Sequence, residues 1–227
     1  MRCLYCHSVI AAEPTLVSLF KRDEPLCLTC REKLTFKFPG ERCGRCHQLV
    51  NKKTEVCSDC ELLIGVYPHI NKIYTVTDYN EETKMLMHRY KFVKDYALAE
   101  VLALLCSFSF KPYHAVVPIP VSTVRLKERT YNQTSAVLDV LGIKYAELLG
   151  TKKSKRQSDL TRHERLNSEN PFYLKENVRA DDFSGMNIVI IDDIYTTGTT
   201  VHQAAEIIST LNFQNIDVLT FSKTQHI

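Results

Sequence analysis

The sequence predicts an α/β domain with a mainly parallel sheet, preceded by a small cysteine-rich module. Eight of the nine cysteines lie in the first 60 residues, where apolar periodicity is weak. Beyond them, β-branched and apolar runs alternate with segments whose apolar residues recur at three- and four-residue spacing, as in alternating strands and helices. The cysteines end near Glu61–Pro68, so we place the module at residues 1–64 and the α/β domain at residues 65–227.

Strand and helix candidates alternate along the α/β domain. Short runs rich in β-branched, aromatic and other apolar residues predict strands, of which the third is the weakest: Lys72–Tyr79, His114–Ile119, Lys144–Leu149, Asn187–Asp192 and Ile216–Ser222. Amphipathic spacing predicts four helices: Glu81–Tyr90, Tyr96–Cys106, Asn132–Leu141 and Thr200–Leu211. Thr151–Asn170 is long, polar and without a period, which is typical of a lid. In such a domain, ligands gather at the carboxyl ends of the strands.

Composition and the N-terminus predict a cytoplasmic protein. The chain has 44% hydrophobic and 24% charged residues, as soluble globular proteins do. Its longest mostly apolar stretch, Val101–Phe110, is too short to cross a bilayer, so we expect no membrane span. Met1–His7 enters a cysteine motif at once and offers no secretion signal.

The eight early cysteines form four Cys-x-x-Cys pairs: Cys3/Cys6, Cys27/Cys30, Cys43/Cys46 and Cys57/Cys60. Two intervening residues let one tight turn place both thiolates on one metal, so two structural Cys₄ sites for Zn²⁺ use all eight. A segment so poor in core residues needs metal to fold. Neighbouring pairs would close the shortest loops, and we prefer them to an interleaved arrangement.

Other interpretations of the cysteines are weaker. Disulfides are rare in the cytosol. Cys3–His7 and Cys43–His47 each read Cys-x-x-Cys-His, the attachment pattern of c-type haem, but haem leaves the other two pairs unexplained. With two Zn²⁺ on eight thiolates the formal net charge moves from +3 to −1, so bulk charge carries no information about nucleic acid. The role of the module stays open between binding nucleic acid, binding protein and capping the fold.

Val189–Thr200 is the most informative segment. It predicts a buried strand that ends in two carboxylates, Asp192 and Asp193, followed by a hydroxyl-rich loop around Gly198 that enters a helix. A helix N-terminus, threonine hydroxyls and a glycine that allows close approach suit a 5′-phosphate. Ribose hydroxyls or a divalent cation would satisfy the adjacent acids. Helix capping alone needs one threonine and no acidic pair.

This segment resembles, position for position, the phosphoribosyl-pyrophosphate (PRPP) loop of type I phosphoribosyltransferases. The resemblance implies a type I phosphoribosyltransferase-like α/β domain in which Asp192 and Asp193 hold the ribose hydroxyls. Mg²⁺ would arrive on the pyrophosphate. The residues implied as the phosphate cradle are Thr196, Thr197, Gly198, Thr199 and Thr200.

Together with the cysteine pairs, further segments resemble the ComF competence family. These are His88–Phe92, Pro118–Ser122 with Arg125, Arg129, Asn132 and Gln133, and then Gln157, Arg162, Arg165 and Asn167. The resemblance implies a double zinc ribbon and a role in DNA uptake during natural transformation, with PRPP or a nucleotide-like ligand. It also implies contact with single-stranded DNA on the cytosolic side of the membrane, with a helicase-like ATPase and a recombination mediator as partners.

One position departs from the family pattern. Thr130 stands where the family usually has glycine, which often supplies a positive φ that a β-branched residue resists. If the domain is a transferase, cleavage at ribose C1 would be stabilised by pyrophosphate, Mg²⁺ and cations of the lid or of Arg125 and Arg129. The catalytic candidates are therefore Asp192, Asp193, Arg125 and Arg129. The sequence shows no base-recognition pocket, so the acceptor stays open.

Thr151–Arg165 carries a local excess of four positive charges and is the candidate nucleic-acid or pyrophosphate contact. Its cations are Lys152, Lys153, Lys155, Arg156, Arg162 and Arg165. No aromatic residues are interleaved with them, so the segment gives no support for base stacking. His88 and Lys91 either line the site or lie on an outer helix face. Two alternative functions stay open: a metabolic, salvage-type phosphoribosyltransferase, and a zinc-ribbon protein adaptor without catalysis.

Overall fold

The computed structural model of the protein describes residues 1–10, 25–152 and 169–225. In chain order its elements are α1 (Leu28–Thr35), β1 (Glu41–Arg42), β2 (Leu49–Val50), α2 (Ser58–Val66), β3 (Ile73–Asp78), α3 (Glu81–His88), a π-helix (Arg89–Val93), α4 (Leu98–Leu105), β4 (Ala115–Pro118), α5 (Thr123–Arg129), α6 (Gln133–Leu141), β5 (Leu149–Thr151), β6 (Phe172–Leu174), a 3₁₀ turn (Ala180–Asp182), β7 (Asn187–Tyr195), α7 (Thr199–Ser209) and β8 (Asn215–Lys223). No helix in these three ranges is long and apolar enough to span a membrane.

The main sheet has four parallel strands in the order β3-β8-β7-β4. The central strand β7 carries a run of fully buried residues from Ile188 to Ile191. Such a run is typical of a strand covered on both faces by helices. The predicted fold class, a type I phosphoribosyltransferase-like α/β domain with a mainly parallel sheet behind a cysteine-rich module, is confirmed at the level of architecture.

Alternation along β7 divides the core into two halves. Val189 and Ile191 belong to a cluster with residues of α3, α4 and α6, while Ile188 and Ile190 belong to a cluster with α7 and the β5–β6 hairpin. Successive side chains of a strand point to opposite faces, so helices cover the sheet on both sides. The two groups of cysteines follow this division, since Cys3 and Cys30 join the first cluster and Cys43 to Cys60 join the second.

The cysteine-rich region repeats one local design twice. The backbone N–H of Cys3 donates to Ser8 (2.9 Å), and that of Cys43 donates to Gln48 (2.9 Å). In each half the second pair sits at a helix start, with Cys27 and Cys57 at the N-cap positions of α1 and α2. His7 and His47, which complete the haem-like pattern, both take the left-handed conformation that closes the turn. The left-handed turn after each cysteine pair therefore explains these two histidines without haem attachment.

Three elements differ from the sequence-based prediction. The weak strand at Lys144–Leu149 is wrong, because the strand is β5, which pairs antiparallel with β6 outside the main sheet. The helix predicted to end at Tyr90 continues as a π-helix to Val93. Helix α5 was not predicted, because it buries none of its residues and so leaves no apolar period to detect. Ser122 caps its start, accepting a hydrogen bond from the backbone N–H of Arg125 (3.4 Å).

Candidate functional site

The candidate site lies at the carboxyl end of β7. Two acidic residues lie near the end of this strand, which runs to Tyr195, three residues beyond its predicted end at Asp192. Their carboxylates turn back onto the backbone: Asp192 accepts from the N–H of Asp193 (2.8 Å), and Asp193 accepts from the N–H of Ile194 (2.6 Å). Beside them is a cavity of about 330 Å³ lined by Tyr79, Lys91, Arg125 and the whole of 192–201. This is the edge of a parallel sheet at which ligands bind in α/β domains.

The loop between β7 and α7 is shaped like an anion cradle. Gly198, at the N-cap position of α7, has a φ of +79°. The hydroxyls of Thr197 and Thr199 lie 3.1 Å apart on either side of it. The first N–H groups of any α-helix have no intrahelical acceptor and favour an anion. The residues predicted as the cradle, Thr196 to Thr200, therefore line one cavity together with the acidic pair.

Tyr195 forms the floor of the loop. Its side chain is buried, and a Cβ added at Gly198 would meet its phenol group. Burial raises the pKa of the Tyr195 phenol well above its ordinary value. Glycine is thus required at 198 both for its left-handed backbone and for its closeness to this ring.

Lys91 reaches the acidic pair from the π-helix. Its Nζ lies 2.6 Å from Oδ2 of Asp193, and both side chains are mostly buried. Of the two positions left open for this lysine, the structure selects the site over an outer helix face. His88 is exposed and lies at the rim of an adjoining cavity of about 450 Å³, which Lys91, Phe92 and Ile194 also line.

Arg125 and Arg129 approach from α5. Both line a small cavity of about 150 Å³ together with Asp192, Asp193 and Thr200. Nη1 of Arg129 donates to Oε1 of Gln133 (2.8 Å), and its guanidinium lies 5.6 Å from the ring centroid of Phe92. Burial lowers the pKa of Arg129, while the charge of Asp193 raises it. The arginines and carboxylates singled out from sequence are therefore brought together.

Thr130 ends α5 in the left-handed conformation, with a φ of +72°. The position therefore does require the backbone that a glycine adopts readily and a β-branched residue does not. Asn132 then caps α6, accepting from the N–H groups of Thr134 (2.9 Å) and Ser135 (3.4 Å). Thr130 and Asn132 together define the turn between the two helices.

Only one cation of the predicted basic segment is described. Lys152 is exposed, with its Nζ 5.8 Å from the ring centroid of Tyr173. The other five candidates lie outside the described residues: Lys153, Lys155, Arg156, Arg162 and Arg165. The same is true of most of the lid candidate Thr151–Asn170.

The eight early cysteines gather into two tetrads, which we call the first tetrad (Cys3, Cys6, Cys27, Cys30) and the second tetrad (Cys43, Cys46, Cys57, Cys60). Within each, the sulfur atoms all lie within 4.8 Å of one another. Neighbouring pairs thus share a site, in agreement with the loop-closure argument.

The sulfur geometry fits a tetrahedral metal. The Sγ atoms of Cys6 and Cys27, and those of Cys46 and Cys57, are each 3.8 Å apart. Four sulfurs at about 2.3 Å from one zinc ion would lie about 3.8 Å from each other. A disulfide needs about 2.05 Å, and all nine cysteines are free. Both tetrads can therefore hold a metal ion.

The second tetrad borders the loop between β7 and α7, residues 196–198, which we call the phosphate loop after its predicted ligand. A small cavity of about 60 Å³ is lined by Cys46 and Cys60 on one side and by Tyr195, Thr196 and Thr197 on the other. Lys223, at the end of β8, also lines it. Burial lowers the pKa of the Lys223 ammonium, against the opposing effect of negative charge on Cys46, Cys60 and Cys57.

Sequence reasoning missed Tyr79, Tyr195 and Lys223 as parts of this region. The available signal for Lys223 was a lysine directly after the buried strand predicted at Ile216–Ser222. A charged side chain inside a sheet needs a partner of opposite charge, so this lysine could have prompted a search for such a partner. Its neighbours Cys46 and Cys60 are remote in sequence, so no local pattern could have identified them.

Comparison with known proteins agrees with this geometry. Residues 116–225, which contain most of β4 and all of α5, the phosphate loop and β8, match the family described as "Phosphoribosyl transferase domain". The chain therefore carries a domain of the phosphoribosyltransferase class.

Relatives that extend over the cysteine-rich region as well define the family. Competence protein ComFC of Streptococcus pneumoniae (strain ATCC BAA-255 / R6) is 34% identical over 98% of this chain and 99% of its own length. Competence protein ComFC of Bacillus subtilis (strain 168) is 34% identical over 89% and 86%. DNA utilization protein YhgH of Salmonella typhi is 26% identical over 81% and 90%. The chain belongs to the ComF family.

Proposed function

We propose that this protein acts in DNA uptake during natural transformation, that its domain at residues 65–227 binds PRPP, and that it contacts single-stranded DNA. In this proposal residues 1–64 form a double zinc ribbon with one structural Zn²⁺ in each tetrad. The observation that carries the proposal is the joining of an acidic pair, a phosphate cradle and two arginines around one group of cavities. Relatives named competence proteins over the whole chain support the biological context.

The cavities offer a receptor for each part of PRPP. The turn around Gly198 suits the 5′-phosphate, and Asp192 and Asp193 suit the ribose hydroxyls. Arg125 and Arg129 lie where they can bind pyrophosphate, since guanidinium groups pair with phosphate oxygens. Carboxylates and phosphates are the oxygen ligands that Mg²⁺ prefers, so Mg²⁺ fits this donor set. Asp193 would then exchange its ion pair with Lys91 for the ligand.

Calorimetric titration with PRPP in the presence of Mg²⁺ tests the ligand. We expect wild type to bind and an Asp192→Asn/Asp193→Asn protein to bind at least about tenfold more weakly, because hydrogen bonds to charged groups are worth about 1.5–3 kcal/mol. Equal affinities would remove the acidic pair from the proposal. Asp181→Asn/Asp182→Asn is a matched control, since these adjacent, exposed acids lie in the 3₁₀ turn.

A salvage-type phosphoribosyltransferase is the second candidate, and one observation favours it. The adjoining cavity of about 450 Å³ has apolar and aromatic walls at Met87, Phe92 and Ile194, which is a suitable lining for a planar acceptor. The sequence showed no such pocket. In a transferase, Arg125 and Arg129 would stabilise the charge of the departing pyrophosphate. Steady-state release of pyrophosphate from PRPP with a common nucleobase would establish this candidate, and its absence with every base tried would favour a binding role.

Contact with single-stranded DNA is proposed for the basic segment that begins at the exposed Lys152. We expect a variant neutralised at Lys152, Lys153, Lys155 and Arg156 to bind more weakly and to show a shallower dependence of log affinity on log salt. The slope should fall by about 0.7 for each DNA phosphate that the variant no longer neutralises. Fluorescence anisotropy at several salt concentrations measures both the affinity and the slope. An unchanged slope would exclude this segment as the site of DNA binding.

The cellular setting is also part of the proposal. We infer a cytoplasmic protein that partners with a helicase-like ATPase and a recombination mediator at the inner face of the membrane. The rival adaptor function predicts that a tetrad variant loses transformation while DNA binding by the purified protein stays normal. Transformation assays with Cys57→Ser, paired with DNA binding in vitro, separate the two.

A further inference from the structure

Lys223 is a lysine inside the sheet. It is the last residue of β8, where the pairing register sets it between Asp78 of β3 and Tyr195 of β7, and it is 2% exposed. Asp78 already forms an ion pair with Arg42 (2.6 Å) and accepts from Gln225 (2.8 Å). A buried ammonium is costly unless negative charge lies nearby. The position of Lys223 therefore calls for a source of compensating charge.

The second tetrad, together with the carboxylate of Asp59, can supply that charge. Lys223, Cys46, Cys60 and Asp59 line the same cavity of about 60 Å³. Four thiolates around one divalent ion carry a net charge of −2, so a single buried cation beside them is electrostatically favourable. All four cysteines of the second tetrad are buried, which makes the compensation matter more than it would in water.

Lys223 also contacts the floor of the phosphate loop. Its Nζ lies 3.9 Å from the ring centroid of Tyr195, a distance at which a cation is attracted to the face of an aromatic ring. The phenol end of the same ring fills the space beneath Gly198. The backbone carbonyl of Tyr195 accepts from the N–H of Thr224 (3.0 Å), which fixes the end of β7 against β8. A shared cavity, a cation–π contact and the packing of the phenol thus link the cysteines to the turn in three steps.

We propose that Lys223 and Tyr195 are positioning residues that couple the second tetrad to the phosphate loop. The filled tetrad holds the ammonium of Lys223 in place, the ammonium holds the ring of Tyr195, and the ring supports the left-handed turn at Gly198. The inference rests on the proposed binding of a sugar phosphate at this loop. It adds that occupancy of one particular tetrad sets the affinity of the site.

The test compares two lysine-to-methionine variants in the zinc-loaded full chain. Lys223→Met keeps the apolar stem and removes the charge. Lys72→Met is the matched control, because Lys72 lies 5.3 Å from the ring centroid of Tyr74, away from the loop. For Lys223→Met we expect about tenfold weaker binding of ribose 5-phosphate, as for removal of a desolvated cation–π interaction, and faster hydrogen exchange at the amides of 196–200. Lys72→Met should change neither.

Each outcome decides a separate claim. If Lys223→Met retains two zinc ions and leaves both affinity and exchange unchanged, the coupling is wrong. If wild type does not bind ribose 5-phosphate, the loop is not a sugar-phosphate site by itself, and the exchange rates at 196–200 alone decide the coupling. If Lys223→Met does not fold, Tyr195→Leu replaces it, since leucine keeps apolar volume but offers no ring to the cation. Unchanged exchange in that variant, with zinc retained, would also overturn the inference.

Discussion

The two tetrads have the same four donors and the same local design, but different surroundings. The first packs against the half of the core built by α3, α4 and α6, and its Cys6 is exposed. Its nearby contacts are structural: the hydroxyl of Tyr5 donates to the carboxylate of Glu82 (2.8 Å), and Arg89 donates to the carbonyl of Tyr5. The second is wholly buried and shares a cavity with the phosphate loop. The same set of four cysteine donors therefore reaches the surface in one place and lies beside the candidate site in the other.

The largest expected difference between the tetrads is in global stability. Cys60→Ser should lower the melting temperature far more than Cys6→Ser, because structural zinc contributes about 10 kcal/mol or more to a fold that cannot form without it. The buried cysteine is embedded in the core that contains β7, whereas Cys6 is exposed. Calorimetry together with zinc stoichiometry measures this, with one zinc ion retained in each variant. Equal losses of stability would show that the two tetrads contribute equally to the fold.

The second effect concerns the turn above Tyr195. Gly198→Ala should destabilise the protein by about 2–3 kcal/mol, because alanine must adopt a positive φ and its Cβ must displace the Tyr195 phenol. Gly142→Ala is the control. Gly142 has a φ of +67° at the end of α6, with nothing within 4 Å of an added Cβ, so only the backbone cost of about 1 kcal/mol applies. Urea unfolding of both variants isolates the steric part, and equal losses would mean that the ring yields freely.

These contrasts show what could be predicted from the sequence. Buried elements such as β7 and α7 were predicted, because burial leaves an apolar run or an apolar period in the residues, although β7 runs to Tyr195 and not to the predicted Asp192. The grouping of the cysteines followed from loop lengths. Helix α5 left no such trace, since it has no fully buried residue and is delimited by Ser122 and Thr130 at its ends.

The part of the site that forms one continuous segment of sequence was predictable, and the part that the fold brings together from distant segments was not. Asp192 to Thr200 form one segment, so their chemistry is legible in order. The position of Lys91 could not be predicted, because helical spacing alone does not say which face a lysine takes just beyond α3. In the structure the π-helix directs its side chain to Asp193. The placement of Lys223 beside the second tetrad depends on the parallel pairing of β8 with β7, which no local sequence pattern reveals.

A third prediction uses pH on the second-tetrad side of the sheet. His202 of α7 is buried beside Tyr67, and burial lowers its pKa to about 3. The folded state therefore holds it neutral while the unfolded chain binds a proton below about pH 6.5, so its contribution to stability falls as the pH drops from 6.5 towards 3.

His202→Leu should remove this dependence. Between pH 6.5 and 5.5, wild type should lose about 1 kcal/mol more of its free energy of unfolding than the variant, as linkage requires for one proton. His88→Leu is the control, because His88 is exposed in the folded protein. Urea unfolding at the two pH values, with zinc present, gives the free energies needed. A parallel loss in wild type and His202→Leu would show that this histidine does not set the acid limit.

The smallest effect concerns α5, the helix that carries Arg125 and Arg129. Because α5 contains no cysteine, it serves as a reference for the comparison of the two tetrads. Thr130→Gly should stabilise the protein by about 0.5 kcal/mol, because relief of the left-handed backbone, worth about 1–2 kcal/mol, exceeds the entropy that glycine adds to the unfolded chain. Thr123→Gly, in the helical first turn of the same helix, should instead cost a few tenths of a kcal/mol. Both threonines are exposed, so packing changes little in either case. Opposite changes in the free energy of unfolding would show that the strain is local to Thr130 and independent of the metal sites. A loss of stability in both variants would mean that the Thr130 side chain stabilises this turn more than its left-handed backbone destabilises it.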